Sequence, residues 1–524
     1  MNDTSAIKTA LTYELAPFPM TLFDDKGIMR ESKKSELYDV FTSSPFRLSD
    51  FTDCLFVVDG GFLLHKVVWK DKKTFGDIIN DYKTFIFNHY NNTTSIIFDG
   101  YDESFRRVKS YERFRRMSKK VAPEITFELD MKLTEKKDLF LANGKNKSRF
   151  ISKLKSMLIN DTNLTIKQAK EDADTYIIQT AIELAEKNPD KKVVVIGTDV
   201  DLAALLIALT PENLNITMWK PRASTKQPDM IYETLNNQSL KNIILFAHAF
   251  TGCDTTSAIF GKGKKKLLDT VTKNSQLMQY VEVFYNPNAS LTDIEVAGEQ
   301  MMLSLYGLIG TDLTASQCRV SQVLNTIKKS KTAINLANLP PTSAAVRLHS
   351  YRVYYQVQIW LNNKSLNPEN FGWIKSETMY LPQKTTEILA PEKLLKLIHC
   401  SCIKDCSNRC GCKKAGLPCS SLCKNCKGGS CSNSTRPSID DDNHDADVHS
   451  SQSPAANLNS DEVEYDMDNY PDFEMGLGEF CEPILEEGNE VLEETAAQEM
   501  IAETPDDETP PRKRSKRVQK SNKK

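Results

Sequence analysis

Seven aspartates, spread over five segments of this 524-residue chain, are the first residues whose type and spacing could carry chemistry. Each segment places its acids beside a short apolar stretch. In chain order they are Asp59 in VVDGG, Asp99 in IIFDG, Asp172 and Asp174 in KEDADTY, Asp199 and Asp201 in VIGTDVDL, and Asp254 in FTGCDTT. An aspartate after a strand commonly caps a turn or a helix, so one such segment is weak evidence. Five segments together favour a shared site.

Carboxylates that converge repel one another, and a crowded set is tolerable only when cations occupy it. Oxygen-only ligands suit hard divalent ions, so the expected cofactor is Mg²⁺ or Mn²⁺. Two such ions, about 4 Å apart, can activate a water and stabilise the leaving oxygen of a phosphodiester. Asp199 and Asp201 are two residues apart and share one face of an extended chain. Asp172 and Asp174 can enter the same crevice at a helix start, where the helix dipole favours negative charge.

The elements that must position these acids are indicated by short apolar runs. LFVV at 55–58, SIIF at 95–98 and VVVIG at 193–197 predict buried parallel strands. The stretches between them include predicted helices at 76–90, 106–120, 146–159 and 169–187. This alternation predicts an α/β fold, in which helices cover both faces of a parallel sheet. Sites in such sheets form at the carboxyl ends of the strands, which is where the acids fall.

In order and spacing, the five segments resemble the flap-endonuclease and XPG-like branch of the PIN-fold nucleases. The resemblance covers about residues 51–275, and its motifs are Phe98-Asp99-Gly100, Asp172-Ala173-Asp174, Asp199-Val200-Asp201 and Gly252-Cys253-Asp254. It implies metal-dependent hydrolysis of DNA, with all seven aspartates at the catalytic centre. The chain departs from the family by the 50 residues before the first strand and by aspartates in place of two glutamates. These departures bear on flap specificity more than on metal binding.

A glycine-punctuated hairpin of the same family is matched by the segment FGKGKKK at 260–266. The resemblance implies that Gly261 and Gly263 let the main chain approach phosphate, while Lys264 and Lys265 neutralise it. A loop carrying solvated lysines is the alternative interpretation.

The basic segment 105–120 resembles the family helix that leads into an arch over the site. By that resemblance, Lys109 and Arg113 are expected to contact phosphate. The arch segment itself, at about 120–160, has no clear match.

Nine of the thirteen cysteines lie between positions 400 and 431, with the spacing C-x-C-x3-C-x3-C-x-C-x6-C-x3-C-x2-C-x4-C. The opening sequence MNDTSAIKTA lacks the layout of a signal peptide, which favours metal binding over disulfides. Three zinc ions need twelve ligand positions, and nine thiolates supply them if three sulfurs bridge. The predicted ligands are Cys400, Cys402, Cys406, Cys410, Cys412, Cys419, Cys423, Cys426 and Cys431. So short a segment has no room for an apolar core, so metal must supply its folding free energy.

The run from Cys410 to Cys423 resembles the tesmin/TSO1 CXC family of DNA-binding zinc modules. Arg409 stands where the family often has a tyrosine used in the minor groove, and an arginine can also enter a narrow groove. One module is present where many members have two, which implies weaker DNA binding by the module alone. A zinc knot that mediates only protein contacts is the alternative.

Charge is strongly segregated along the chain. Residues 1–436 hold 59 basic and 46 acidic residues, a net +13, which suits nucleic acid as a partner. Residues 437–511 hold 24 acids and no lysine or arginine, and 436–511 is expected to be largely disordered. The acidic tail is a candidate for contacts with basic protein partners. PPRKRSKR at 510–517 has the form of a nuclear import signal, so we expect a nuclear protein. The sequence contains no run of 18 uncharged apolar residues, so no membrane span is predicted.

The predicted organisation has six parts: an extension at 1–50, a nuclease-like domain at 51–275, a mainly helical region at 276–397, a zinc module at 398–435, an acidic tail at 436–511 and a basic tail at 512–524. The leading hypothesis is a metal-dependent DNA nuclease with an added DNA-binding zinc module. The alternative is a non-catalytic chromatin or DNA-binding protein, in which the nuclease-like fold is only a scaffold.

Overall fold

The computed structural model describes most of the chain between residues 9 and 433. The positions outside the description are 1–8, 10, 25, 47–50, 52, 71–72, 91–92, 101–107, 110, 112–120, 162–163, 171–172, 223–227, 330–335, 364–365, 378, 392–399, 401, 404, 415–418, 420–422, 424, 428–430 and 434–524. Four predictions therefore lie outside the described residues. They concern Asp172, Arg113, the acidic tail and the basic tail.

A seven-stranded sheet forms the centre of the fold, in the order β1-β7-β6-β5-β2-β3-β4. The strands are β1 (Ser44–Pro45), β2 (Leu55–Asp59), β3 (Ser95–Phe98), β4 (Thr165–Gln168), β5 (Val193–Ile196), β6 (Ile216–Lys220) and β7 (Met230–Glu233). Every neighbouring pair from β6 to β4 is parallel. Only β7 and β1, at one edge, run antiparallel to their neighbours. The predicted α/β class with a mainly parallel sheet is therefore confirmed.

Helices cover the sheet and form the region that follows it. They are α1 (Gly60–Lys66), α2 (Phe75–His89), α3 (Lys137–Ala142), α4 (Gly144–Asp161), α5 (Asp174–Lys187), α6 (Val200–Leu209), α7 (Ile244–Phe250), α8 (Lys264–Lys273), α9 (Met278–Tyr285), α10 (Leu291–Leu305), α11 (Ala315–Lys329), α12 (Ser343–Trp360) and α13 (Gly411–Lys414). A hairpin of β8 (Trp373–Lys375) and β9 (Tyr380–Pro382) follows α12. In the described part of the chain, no helix has the length and apolar content needed to cross a membrane.

The central strands are apolar throughout because both of their faces are buried. On β2, Leu55 and Val57 pack into one hydrophobic cluster, and Phe56 and Val58 pack into another. Alternate residues of a strand point to opposite faces, so a strand between two helical layers needs apolar side chains at every position. This is why the three strands predicted at 55–58, 95–98 and 193–197 are found there.

The remaining strands were missed by the sequence pattern for a physical reason. Strand β4 lies at the sheet edge, and its residues TIKQ are only partly buried or exposed. An edge strand buries little apolar surface, so it lacks the run that marks β2, β3 and β5. Strands β6 and β7 mix apolar and polar residues. The first three residues of β6 are buried and its last two are partly buried, while in β7 only the two central residues are buried.

Several helix predictions correspond closely to the structure. Helix α2 begins after Thr74, whose side chain and that of Asp77 form a reciprocal capping box. Helix α12 begins after Thr342, whose side chain accepts a hydrogen bond from the backbone N–H of Ala345, and ends at Trp360. Its Tyr354 and Trp360 are buried, so these aromatics belong to the core. Most of the predicted helix at 106–120 lies outside the described residues.

The segment before the first central strand is part of the folded body. Leu22, Phe23, Met29, Leu37 and Phe41 are buried in the same hydrophobic cluster as β5 and α6. That cluster also continues into α10 and α12, beyond residue 276. The described parts of 1–50 and 276–397 therefore share one core with the sheet.

Candidate metal sites at the sheet edge and in the cysteine cluster

Three of the predicted acids lie at the carboxyl ends of neighbouring parallel strands in the centre of the sheet. Asp59 is the last residue of β2, Asp99 follows β3 directly, and Asp199 lies three residues after β5. Because β2 pairs in parallel with both β3 and β5, the three carboxylates are brought to one place. Asp59 and Asp199 also cap the helices that follow, accepting hydrogen bonds from the backbone N–H of Gly61 (2.7 Å) and Asp201 (3.1 Å). Capping and convergence are compatible at this edge.

Asp99 connects the sheet to the acid-bearing start of α5. Its Oδ1 accepts a hydrogen bond from the backbone N–H of Ala173 at 3.0 Å. A side chain at Gly100 would place a Cβ 2.2 Å from the carbonyl oxygen of Lys170, so only glycine allows this approach. Asp174, the first residue of α5, lies in the same region, with its Oδ2 3.8 Å from Nζ of Lys109. Lys109, which was predicted to contact phosphate, therefore lies beside a site carboxylate.

Electrostatics at this edge are unfavourable for a full set of ionised acids. Burial, followed by repulsion from Asp99, raises the pKa of Asp59 to about 7. Asp199 is an exposed residue, but desolvation of its carboxylate and repulsion from Asp201 raise its pKa to about 6. Near neutral pH, Asp59 is therefore partly protonated unless positive charge compensates its carboxylate. Carboxylate oxygens are the ligands that a hard divalent cation prefers, although among the described residues no three of these acids have donor oxygens within 4.8 Å of one another.

Asp201 differs from its neighbours because two basic side chains contact it. Its side chain is 4% exposed, and its Oδ2 lies 3.2 Å from Nζ of Lys34. Its Oδ1 lies 2.8 Å from Nε2 of the fully buried His248. Burial alone would raise the pKa of Asp201, but His248 and Lys34 hold it well below its usual value.

His248 makes its contact from a fully buried position. Burial and the nearby Lys264 lower its pKa. Its Nε2 faces Oδ1 of Asp201, and the ring stacks on Trp360 with the ring planes 3° apart.

Asp254 is also paired with Lys34. Its Oδ1 contacts Nζ of Lys34, and its side chain is 15% exposed. The structure therefore brings six of the seven predicted acids to the region at the carboxyl ends of the central strands. They are Asp59, Asp99, Asp174, Asp199, Asp201 and Asp254. Asp172 lies outside the described residues.

Two contributors to this site were missed in the sequence. Lys34 is one of two lysines in KKSEL, and nothing in that string marks it. His248 is a core residue whose ring nitrogen contacts a site acid. Its place on the helix before Asp254 was the available signal, but helix α7 is apolar throughout and hides it.

The predicted DNA-contacting hairpin is folded as a turn before α8. Gly261 has φ +67° and is exposed, with no atom within 4 Å of a built Cβ. Gly263 is the N-cap of α8, and a Cβ there would lie 3.1 Å from Oε2 of Glu36. Lys265 is exposed. These three positions leave the turn accessible.

Lys264 is placed differently from the prediction, because it is 1% exposed. Its Nζ donates to the carbonyl oxygens of Gly252 (2.6 Å) and His248 (3.2 Å), at the end of α7. Burial lowers its pKa to about 8. In this structure Lys264 caps the carbonyl end of α7 rather than presenting a cation to DNA.

We expect Lys264→Met to lower the free energy of unfolding by about 1–3 kcal/mol, because the buried carbonyls of Gly252 and His248 would lose their donor. Lys265→Met, at the exposed neighbour, should change it by less than about 0.5 kcal/mol. Urea denaturation of the two variants checks this. Equal stabilities would mean that the ammonium of Lys264 does not satisfy those carbonyls.

The cysteine cluster has the spacing of a metal–thiolate site. Among the described residues, three groups of four donors have sulfur atoms within 4.8 Å of one another. They are Cys400, Cys412, Cys419 and Cys423; Cys400, Cys402, Cys406 and Cys410; and Cys400, Cys406, Cys419 and Cys426. Cys400 belongs to all three groups, and Cys406 and Cys419 belong to two each. Every such group in the described chain consists of cysteines alone.

Sulfur–sulfur separations favour metal over disulfide. Sγ of Cys400 lies 3.6 Å from Cys406 and 3.8 Å from Cys419, and Cys412 lies 3.5 Å from Cys423. A tetrahedron with Zn–S bonds of about 2.3 Å has edges of about 3.8 Å. A disulfide needs about 2.05 Å. The cluster can therefore hold metal ions.

Burial raises the pKa of the thiols of Cys400, Cys406, Cys412 and Cys419. Metal binding must displace those protons, so the affinity of the cluster should fall as the pH is lowered. Cys431, the ninth predicted ligand, is partly buried and packs against the cluster. Arg409, which directly precedes Cys410 in the chain, is exposed.

Comparisons with known proteins give a distant structural likeness. No protein-family model and no curated protein matches the sequence. Among solved structures, the catalytic core of Rad2 in complex with DNA substrate matches with a TM-score of 0.30 and 14% identity, over 63% of this chain and 98% of that one. A bacteriophage T5 flap endonuclease, in a complex with DNA and metal ions, matches with a TM-score of 0.28 and 12% identity, over 59% and 98%.

Proposed function

We propose that this protein is a divalent-metal-dependent DNA nuclease with a zinc module that adds a second DNA contact. The observation that carries the proposal is the convergence of Asp59, Asp99 and Asp199 at the ends of three neighbouring parallel strands. Burial and mutual repulsion raise the pKa of two of them, as expected where a cation belongs.

The residues that would hold the cation are the converging acids at the sheet edge, with Asp172 added from the segment before α5. A divalent ion in this position supplies a polarised water and neutralises charge on the phosphodiester. The protein itself orients the acids, through the helix caps of Asp59 and Asp199 and the backbone contact of Asp99. Lys109, 3.8 Å from Asp174, is placed to attract a phosphate.

DNA would also contact residues outside this carboxylate centre. The exposed turn with Gly261, Gly263 and Lys265 offers main-chain N–H groups and a cation to the phosphate backbone. We include Arg113 among the phosphate contacts and Arg409 as the groove contact of the zinc module. The nine cysteines would bind about three zinc ions, with Cys400, Cys406 and Cys419 as the shared thiolates. A nuclear location suits this function.

A second candidate is a non-catalytic DNA-binding protein, in which the zinc module acts and the sheet domain is a scaffold. The observation that favours it is the pairing of Asp201 and Asp254 with Lys34. An ion pair of this kind gives those two acids a structural reason to be present.

Cleavage assays on flap, nicked and single-stranded DNA separate the two candidates. Zinc-loaded protein is incubated with each substrate, with and without added Mn²⁺, beside an Asp199→Ala/Asp201→Ala variant. We expect Mn²⁺-dependent cutting by the natural protein, and none above the protein-free background by the variant. DNA binding without cutting by the natural protein would leave the scaffold as the function.

A further inference from the structure

Lys34 reaches the carboxylate centre from the segment that precedes the central strands. It is the first residue of a helical turn, Lys34–Leu37. Its ammonium lies 3.2 Å from Oδ2 of Asp201 and also contacts Asp254. The Lys34 side chain is 25% exposed, and those of Asp201 and Asp254 are 4% and 15% exposed. The ammonium is therefore largely enclosed between two site acids.

The chain is fastened to the site on both sides of Lys34. Before it, the Ser32 hydroxyl donates to the carbonyl of Gly252 at 2.6 Å, two residues before Asp254. After it, the Tyr38 hydroxyl donates to the carbonyl of Thr198 at 3.1 Å, next to Asp199. The loops that carry the acids thus hold the segment that carries the lysine. A fixed backbone places the ammonium at this position with little loss of side-chain freedom on pairing.

Charge divides the centre into two halves. Lys34 acts on Asp201, Asp254 and Asp199, which raise its own pKa despite burial. Asp59 is acted on mainly by Asp99, and also by Asp199. Asp199 lies between the halves. The half that contains Asp201 and Asp254 already has a positive charge at ion-pair distance from both carboxylates.

We propose that Lys34 is a tethered cation that occupies the Asp201–Asp254 half of the centre, so that the protein binds one divalent ion there instead of two. The divalent ion is confined to the half formed by Asp59, Asp99 and Asp199. An ammonium and a divalent ion cannot share the same two carboxylates without strong repulsion. This inference rests on the proposed metal centre and replaces the two-ion expectation taken from the sequence.

Counting bound Mn²⁺ tests the proposal without measuring activity. Free Mn²⁺ is followed by electron paramagnetic resonance as it is titrated into the zinc-loaded full chain. Binding to an Asp59→Asn/Asp199→Asn/Asp201→Asn/Asp254→Asn variant, which loses acids of both halves, is subtracted because the acidic tail also attracts cations. We expect about one site-specific ion in the natural protein and about two in Lys34→Gln. Lys33→Gln, at the exposed neighbour, should retain about one.

Two results overturn the inference in distinguishable ways. About two site-specific ions in the natural protein would show that Lys34 does not hold a cation position, while the metal centre itself would stand. No Mn²⁺ above the background of the Asp59→Asn/Asp199→Asn/Asp201→Asn/Asp254→Asn variant would remove the metal centre and the inference together. The count in the natural protein decides the matter even if Lys34→Gln fails to fold.

Discussion

Cys400→Ser is expected to reduce the zinc content of the protein from about three ions to about one, whereas Cys402→Ser should leave about two. Cys400 lies in all three four-sulfur groups, and Cys402 lies in one. A thiolate shared by several ions cannot be lost without opening each of their coordination shells. Since the segment has no apolar core of its own, the metal also supplies its folding free energy, on the order of 10 kcal/mol for each structural zinc ion.

Native mass spectrometry of the purified variants gives the zinc count directly. Cys402→Ser is the matched control, because it removes one sulfur from the same segment. DNA affinity measured at constant salt should fall with the zinc count if the folded module binds DNA. Equal zinc loss in the two variants would contradict the shared role of Cys400. Full zinc retention by Cys400→Ser would mean that other thiolates form the shared ligands.

Asp59→Asn is expected to stabilise the protein near pH 7.5 when no divalent cation is added, while abolishing Mn²⁺-dependent cleavage. The pKa of Asp59 is raised to about 7 in the folded protein. The unfolded chain has an ordinary aspartate pKa of about 3.9. Between these values the folded state binds more protons, so the free energy of unfolding falls as pH rises from about 4 to about 7. Asparagine has no such dependence, and because Asp59 is partly exposed we expect a gain of about 2–3 kcal/mol.

Urea denaturation between about pH 6 and pH 8, where the thiolates keep zinc bound, measures the effect in buffer cleared of added divalent ions. Asp190→Asn, at an exposed position before β5, is the matched control and should follow the natural protein. Added Mn²⁺ should flatten the pH dependence of the natural protein, because a bound cation favours the ionised carboxylate. An Asp59→Asn protein that is no more stable than the natural one at pH 7.5 would show that the acids are not crowded.

The position of the Lys264 side chain could not be inferred from the residues around it in the sequence. Lys264 stands in a lysine run that predicts solvated or phosphate-bound cations, yet its ammonium is buried on the carbonyl of Gly252. Only the position of α8 against the end of α7 decides this. The three exposed or turn positions beside it, Gly261, Gly263 and Lys265, carry a pattern that the structure leaves accessible.

The sequence by itself determined the central strands, the cysteine spacing and the order of the acids. Strands buried on both faces must be apolar at every position, and parallel strands must end at one edge, so Asp59, Asp99 and Asp199 could be placed together in advance. The tertiary structure alone decided which charges meet those acids. Lys34 and His248 contact Asp201 from 167 and 47 residues away. No periodicity links such positions, because their contact depends on how separate elements pack, and that packing sets the charge of the site.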